Sequence, residues 1–177
     1  MLARLLSQAR RIVPFDSANV MLVSDGVARI VHCIGQDDFG TPLEDVCSVE
    51  FPLAQATYIR YLVMHRTPLV VPDVRHSAIW KETPGAKHVR SWLGMPFLMH
   101  GEVVGLFALD SVTPNFYNDG HVRMLLPFAQ QAGIAYENVR LYEKQRTQSA
   151  ELAARLEQVD ALYNASQSIL SSLDLDV

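Results

Sequence analysis

Between Val74 and Arg90 the sequence loses clean periodicity and gathers His76, Trp80, Lys81, Glu82, Lys87 and His88, with Trp92 just beyond. Imidazoles and indoles in one irregular segment can line an apolar pocket with a few polar anchors. The competing reading packs the tryptophans as core and leaves the histidines in solvent. Cys33 and Cys47 lack CxxC spacing and are expected to be small apolar fillers of a reduced protein rather than a disulfide. No Ser/His/Asp or Cys/His grouping, HExxH, GxxxxGK[ST] or GxSxG motif occurs, so no catalytic residue and no metal site is assigned. The stretch from Gly101 to Gly105 is a turn and bulge sequence, and no phosphate loop.

Positioning these side chains falls to two apolar hairpins and three helical stretches. Leu2 to Val13 carries Leu2, Leu5, Leu6, Ala9, Ile12 and Val13 at helical spacing and stops at Pro14. Ala18 to Ser24 and Val27 to Ile34 flank Asp25-Gly26, a pair that favours a tight hairpin turn. Gly35 to Val46 is polar and reads as a loop, and Ser48 to Leu53 as a short strand. Ala54 to His65 reads as a helix, and Pro68 to Asp73 as a strand bracketed by prolines. Ser91 to Met99, His100-Gly101 and Glu102 to Ser111 form a second hairpin, the most apolar part of the chain and the expected centre of the sheet.

From Asn118 or Asp119 to about Leu173 only Pro127 and Gly133 oppose a continuous helix, with a kink or an early break expected at Pro127. Its first half carries a stripe at Leu125, Phe128, Ala132, Ala135, Val139 and Tyr142, suited to packing on a sheet. Its second half carries a heptad seam, Leu152, Leu156, Val159, Tyr163, Ser166 and Leu170, suited to a coiled-coil dimer. The two stripes are out of phase across Glu143 to Ser149, where a stammer would overwind the coil and serve as a switch element.

The 177 residues are 49 % hydrophobic and 19 % charged, which excludes a wholly disordered chain. A net charge of −4 argues against a nucleic-acid partner. No apolar run approaches the ~20 residues of a spanning helix, and no h-region follows a basic start. No membrane and a cytoplasmic location are therefore expected.

The order helix, hairpin, loop, helix, strand, irregular segment, hairpin, long helix resembles a GAF domain, a small sensory module of signalling proteins. Ser91-Trp-Leu-Gly-Met-Pro-Phe-Leu-Met-His-Gly-Glu-Val-Val-Gly-Leu-Phe-Ala-Leu-Asp-Ser is similar to that family's most recognisable hairpin. Leu125 to Tyr142 is similar to the helix that leaves such domains, and the resemblance covers about Leu2 to Tyr142. It implies an α/β (α+β) fold, with helices packed on a central antiparallel sheet and a long C-terminal signalling helix. Residues 1–142 would be the sensory domain, and 143–177 a coiled-coil linker helix. The tail from Ala161 looks like the opening helix of a second GAF domain, ahead of an output module such as a histidine kinase, diguanylate cyclase or phosphatase.

By the same resemblance a pocket lies over one face of the sheet, roofed by Asp73 to Arg90. Its expected ligand contacts are Asp73, His76, Trp80, His88 and Trp92. A covalent bilin would need a cysteine in that segment, where none stands. A haem would need an axial histidine, for which His76 or His88 is a weak signal among six histidines. The family's cyclic-nucleotide motif is absent. The expectation is a homodimeric sensor without enzyme activity, joined through Leu152, Leu156, Val159, Tyr163 and Leu170, that binds an unknown small molecule and relays a conformational signal to a downstream output domain. The alternative is a ligand-free dimerisation and relay module whose pocket is filled by its own side chains. A more remote one is a GAF-fold methionine sulfoxide reductase, which needs Cys33 and Cys47 close together and reactive.

Overall fold

A computed structural model describes residues 2–83 and 85–173, with side chains through Leu162 apart from Ala161. It divides into two units, residues 1–137 and 138–177. The elements are α1 (Leu2–Ala9), β1 (Ser17–Ser24), β2 (Val27–Ile34), α2 (Leu43–Cys47), β3 (Glu50–Pro52), α3 (Thr57–His65), β4 (Leu69–Val71), β5 (Ser91–Met99), β6 (Glu102–Ser111) and α4 (Asp119–Leu173). The strands form one sheet in the order β3-β2-β1-β6-β5-β4, every neighbouring pair antiparallel.

Both hairpins follow from their turn residues. Asp25-Gly26 and His100-Gly101 all have positive φ, the geometry whose twist matches that of the flanking strands. The second hairpin supplies β6 to the middle of the sheet beside β1, while β5 lies one strand in from the edge. Pro96 is tolerated in β5 because β4 pairs only with Trp92 to Gly94, so no ladder bond is asked of its nitrogen on that side.

Alternation along the strands sends residues to two cores. Phe107 and Leu109 join Leu93, Met95 and Phe97 under α1 and the beginning of α4, where Leu125, Ala129 and Ala132 are buried. Leu106 and Ala108 face the other way, with Met21, Ile59, Leu62 and Trp92.

Three local expectations change. Helix α1 ends at Ala9; residues 10–13 are turns that leave Ile12 half exposed and turn Val13 fully inward. The residue before a proline disfavours helical backbone, so the helix gives way ahead of Pro14. The segment read as a loop holds a 3-10 turn, Asp37–Phe39, and α2, which Pro42 opens and whose first turn carries Glu44 and Asp45 toward the positive end of its dipole. Finally, α4 does not break at Pro127: that residue and Arg123, whose carbonyl loses its partner, are both exposed to solvent.

Within the first unit Gly133 lets α4 lie directly on the second hairpin, since a Cβ there would run into the Leu98 carbonyl oxygen. Gly133→Ala in an ordinary helix interior would gain up to about 1 kcal/mol. Here it is expected to cost about 2 kcal/mol by overpacking, seen as a lower denaturation midpoint; an unchanged or raised midpoint would contradict this contact. In the second unit Val139, Tyr142, Leu152, Leu156 and Val159 are exposed. The backbone is helical at Tyr163, Ser166 and Leu170, but their side chains lie outside the described residues, as do residues 174–177 of the tail.

Candidate functional site

The core face that carries Trp92 also carries polar groups. Ser17, Asn19 and Met21 alternate inward along β1, and the β1–β6 register sets Ser17 opposite Asp110 and Asn19 opposite Ala108. Asn19 and Asp110 are only 8 % and 6 % exposed, and Gln36, in the turn after β2, is 2 % exposed. Together with Tyr58 of α3, Trp92 of β5 and Trp80 of the irregular segment they surround a cavity of about 30 Å³. That volume holds a water molecule or two. A second cavity of about 100 Å³ shares the Phe51, Tyr58 and Thr83 walls and is lined as well by Glu50 and Lys81.

The rings are in mutual contact. Tyr58 stacks on Trp80 at 4.9 Å and meets Trp92 edge-on at 5.2 Å, and the two indoles lie 5.7 Å apart. Gly94 makes room for this arrangement, because a Cβ there would fall on the Trp92 ring.

The polar groups are unevenly satisfied. Gln36 Nε2 donates to the Ala18 carbonyl at 3.2 Å, whereas Gln36 Oε1 and Asn19 Oδ1 have no hydrogen-bond partner among the described residues. Ser17 Oγ donates to Asp110 Oδ2 at 2.7 Å and stands 2.7 Å from His88 Nε2. A hydroxyl has one hydrogen, so the imidazole is the donor in that second bond while Asp110 is ionised. Burial pushes the Asp110 carboxyl up to about 7, against the pull of the Ser17 hydrogen bond and with a further push from the Asp16 charge. Burial also lowers the His88 imidazole, opposed by Asp16, and raises the Tyr58 phenol, to which the Asp110 charge adds.

The five expected ligand contacts separate into three places. Trp80 and Trp92 lie together on the cavity. His88 stands behind it, stacked on Phe39 at 3.8 Å and joined to Asp110 through Ser17. Asp73 and His76 line a different, open groove beside Asn115. There Asp73 takes hydrogen bonds from Arg90 Nη2 at 3.0 Å, the Arg75 amide at 3.1 Å and His76 Nδ1 at 3.1 Å, and Arg90 above all holds its carboxyl near 2. Since Asp73 opens the irregular segment and Arg90 ends it, this pair clasps the two ends of the roof. The His76 side chain is 83 % exposed, and neither it nor His88 lines the cavity.

Reading the sequence alone missed Asn19, Gln36, Tyr58 and Asp110. The usable sign was a carboxylate in phase with Leu106 and Ala108, at an inward position of a buried strand.

Cys33 on β2 and Cys47 at the end of α2 are disulfide-bonded, with Cα atoms 6.6 Å apart. This corrects the expectation of two reduced fillers: α2 turns the supposed loop back along β2 and brings the second cysteine to the first. Cysteine usage therefore no longer argues for a reducing compartment. The bond moors α2, whose Val46 walls the cavity and lies under Gly85 of the roof. Neither cysteine lines the cavity. Among the described residues no helix is long and apolar enough to cross a membrane, and no three side chains cluster as metal ligands.

The antiparallel sheet, with α1 and the beginning of α4 on one face and α2, α3 and the irregular roof around a small cavity on the other, makes a compact α+β module. The sequence profile of the GAF domain matches residues 1–137, and the chain belongs to the GAF domain family. Similar solved structures include a methyl-accepting chemotaxis protein (20 % identity, TM-score 0.66, 80 % of this chain and 89 % of that one). Another is the GAF domain of a two-component sensor histidine kinase from Bacillus halodurans (16 %, 0.64, 79 % and 93 %). A third is free methionine-R-sulfoxide reductase from Neisseria meningitidis in complex with its substrate (16 %, 0.64, 80 % and 78 %). At such identities the likeness is one of fold. The curated proteins contain no matching relative.

Proposed function

We propose that residues 1–137 are a sensory domain, that its small-molecule ligand enters the cavity between β1, β6 and the roof, and that the helix from Asn138 onward joins two copies and relays the bound state to an output domain. The supporting observation is the set of three buried polar side chains facing one cavity, two of them with an unpartnered oxygen. Each buried acceptor without a partner costs about 1–3 kcal/mol, a penalty that a purely packed core would remove by apolar substitution. Membership of the GAF family and the signalling proteins that share the fold support the sensory reading. The reductase alternative loses support, because neither cysteine lines the cavity.

A second reading, a ligand-free relay, is favoured by the small cavity, which Trp80 helps to fill. Native mass spectrometry of the purified protein separates the two, followed by a denaturing run. Both tryptophans of the chain stand at the cavity, so their emission reports on it directly. The sensory reading expects an adduct lost on denaturation, whose removal alters tryptophan emission, in a dimer that Leu156→Asp dissociates. A bare dimer whose emission no metabolite mixture changes would leave the relay, and a bare monomer would refute both.

A further inference from the structure

We propose, resting on that sensory reading, that the cavity takes a small organic cation, an alkylated ammonium, held by the faces of Tyr58, Trp80 and Trp92 and by the oxygens of Asp110, Asn19 and Gln36. The buried unpartnered polar atoms at the cavity, Asn19 Oδ1 and Gln36 Oε1, are both acceptors. Gln36 commits one of its two amide hydrogens to Ala18 and leaves Oε1 unpartnered, as Asn19 Oδ1 is, and the Asp110 carboxylate accepts from Ser17. No lysine or arginine lines the smaller cavity, where the charged side chain is Asp110, and Lys81 lines the adjoining one together with Glu50. A phosphate or carboxylate would face Asp110 directly.

The remaining wall is aromatic, and three electron-rich ring faces in mutual contact attract a cation through their quadrupoles. An aromatic cage with one carboxylate is the arrangement that recognises methylated ammonium groups. The two adjoining cavities, about 30 and 100 Å³, suit a headgroup of a few carbons once Trp80 moves, and are far too small for a nucleotide or tetrapyrrole. Trp80 can move because it lies in the irregular roof, outside any helix or strand, so the ligand displaces it from Tyr58 and is capped by it.

The cation needs Asp110 ionised. The groups that face Asp110 are Ser17 and Asp16 from the β1 side, Tyr58 from α3, Tyr117 from the segment before α4, and His88 through Ser17. Burial keeps both phenols protonated far above neutrality and favours the neutral imidazole, so Asp110, near 7, is the group that titrates between about pH 6 and 8. Binding is therefore expected to tighten roughly tenfold over that interval.

The test uses the full chain and two probes of nearly equal shape, choline and its uncharged isostere 3,3-dimethylbutan-1-ol, read by tryptophan emission and calorimetry. Choline or tetramethylammonium is expected to shift the emission at millimolar concentration or below, and the alcohol to bind at least tenfold more weakly. Asp110→Asn, which keeps an acceptor for Ser17, is expected to lose most of that preference and its pH dependence. Trp80→Ala, on the irregular roof, is expected to weaken both probes. Equal binding of the two probes, or no response to any ammonium ion, overturns the proposal. If native mass spectrometry then finds an anionic or neutral adduct, the sensory reading survives and only the ligand class is wrong; if it finds none, both fail.

Discussion

Asp110→Asn is expected to unfold at higher denaturant than the parent protein at about pH 8, by about 4 kcal/mol, and at nearly the same denaturant at about pH 4. The folded carboxyl keeps its proton up to about 7, whereas in the unfolded chain it ionises near the ordinary 3.8. Between those values the native state binds more protons than the unfolded one. Stability from this group is thus complete below 3.8, declines as the pH rises, and levels off above about 7. Three pH units correspond to about 4 kcal/mol. Asparagine accepts from Ser17 as the carboxylate does but carries no charge to desolvate, so its stability should be flat across the interval. The Asp73 carboxyl acts in the opposite sense and in a separate window: held near 2 by Arg90, it adds stability that is lost as the pH falls from 3.8 toward 2. Denaturation midpoints at four or five pH values decide the matter, and a parent protein as stable at about pH 8 as at about pH 5 would refute a buried, proton-holding Asp110.

That a protein keeps such a residue fits with binding. A buried carboxyl that weakens the ligand-free domain at neutral pH is a cost a cation can offset, because the ligand supplies the countercharge that folding withholds. Under the cation proposal the same side chain links three readouts: stability, proton uptake and occupancy. His88 and Ser17 extend the link outward, since a proton leaving Asp110 reverses the direction of hydrogen bonding along the Asp110–Ser17–His88 row.

The frame of this domain was legible because it is local. Asp25-Gly26 and His100-Gly101 announce their turns, and alternation sorts Leu106 and Ala108 from Phe107 and Leu109. The stripe Leu125, Phe128 and Ala132 marks the face of α4 that packs on the sheet. The resemblance to GAF domains rested on those same stretches. The site was much less legible. Ser17 meets His88 across 71 residues and Asp110 across 93, through strand pairings that no spacing in the sequence encodes. Trp80 and Trp92 stood out as aromatic residues in an irregular segment, and the cavity does contain them. Asp73 and His76 stood out for the same reason, yet serve the clasp of the roof with Arg90 instead. Residue type identified candidates, but only the sheet register decided which of them share a cavity.

Cys33 and Cys47 make the strongest case of that kind, and a reductant should expose it. Closing a loop across a separation of 14 residues removes unfolded-state entropy that corresponds to about 3 kcal/mol in the chain-entropy model. For a chain of this length that is a fall of roughly 10 °C in melting temperature. The covalent link should matter beyond the unfolded state, because α2 is one short turn of helix and its Val46 is the surface on which Gly85 of the roof rests. Freed from β2, α2 is expected to fray, loosening the wall of the cavity and altering the emission of Trp80 more than the global fold. Melting curves with and without a dithiol reductant, repeated on Cys33→Ser, test this. Reduction should lower the parent's midpoint to that of the variant, and the variant should ignore the reductant. Native protein that titrates two free thiols before any reductant is added, or a midpoint that reduction leaves in place, would remove the bond and return these cysteines to the role of apolar fillers.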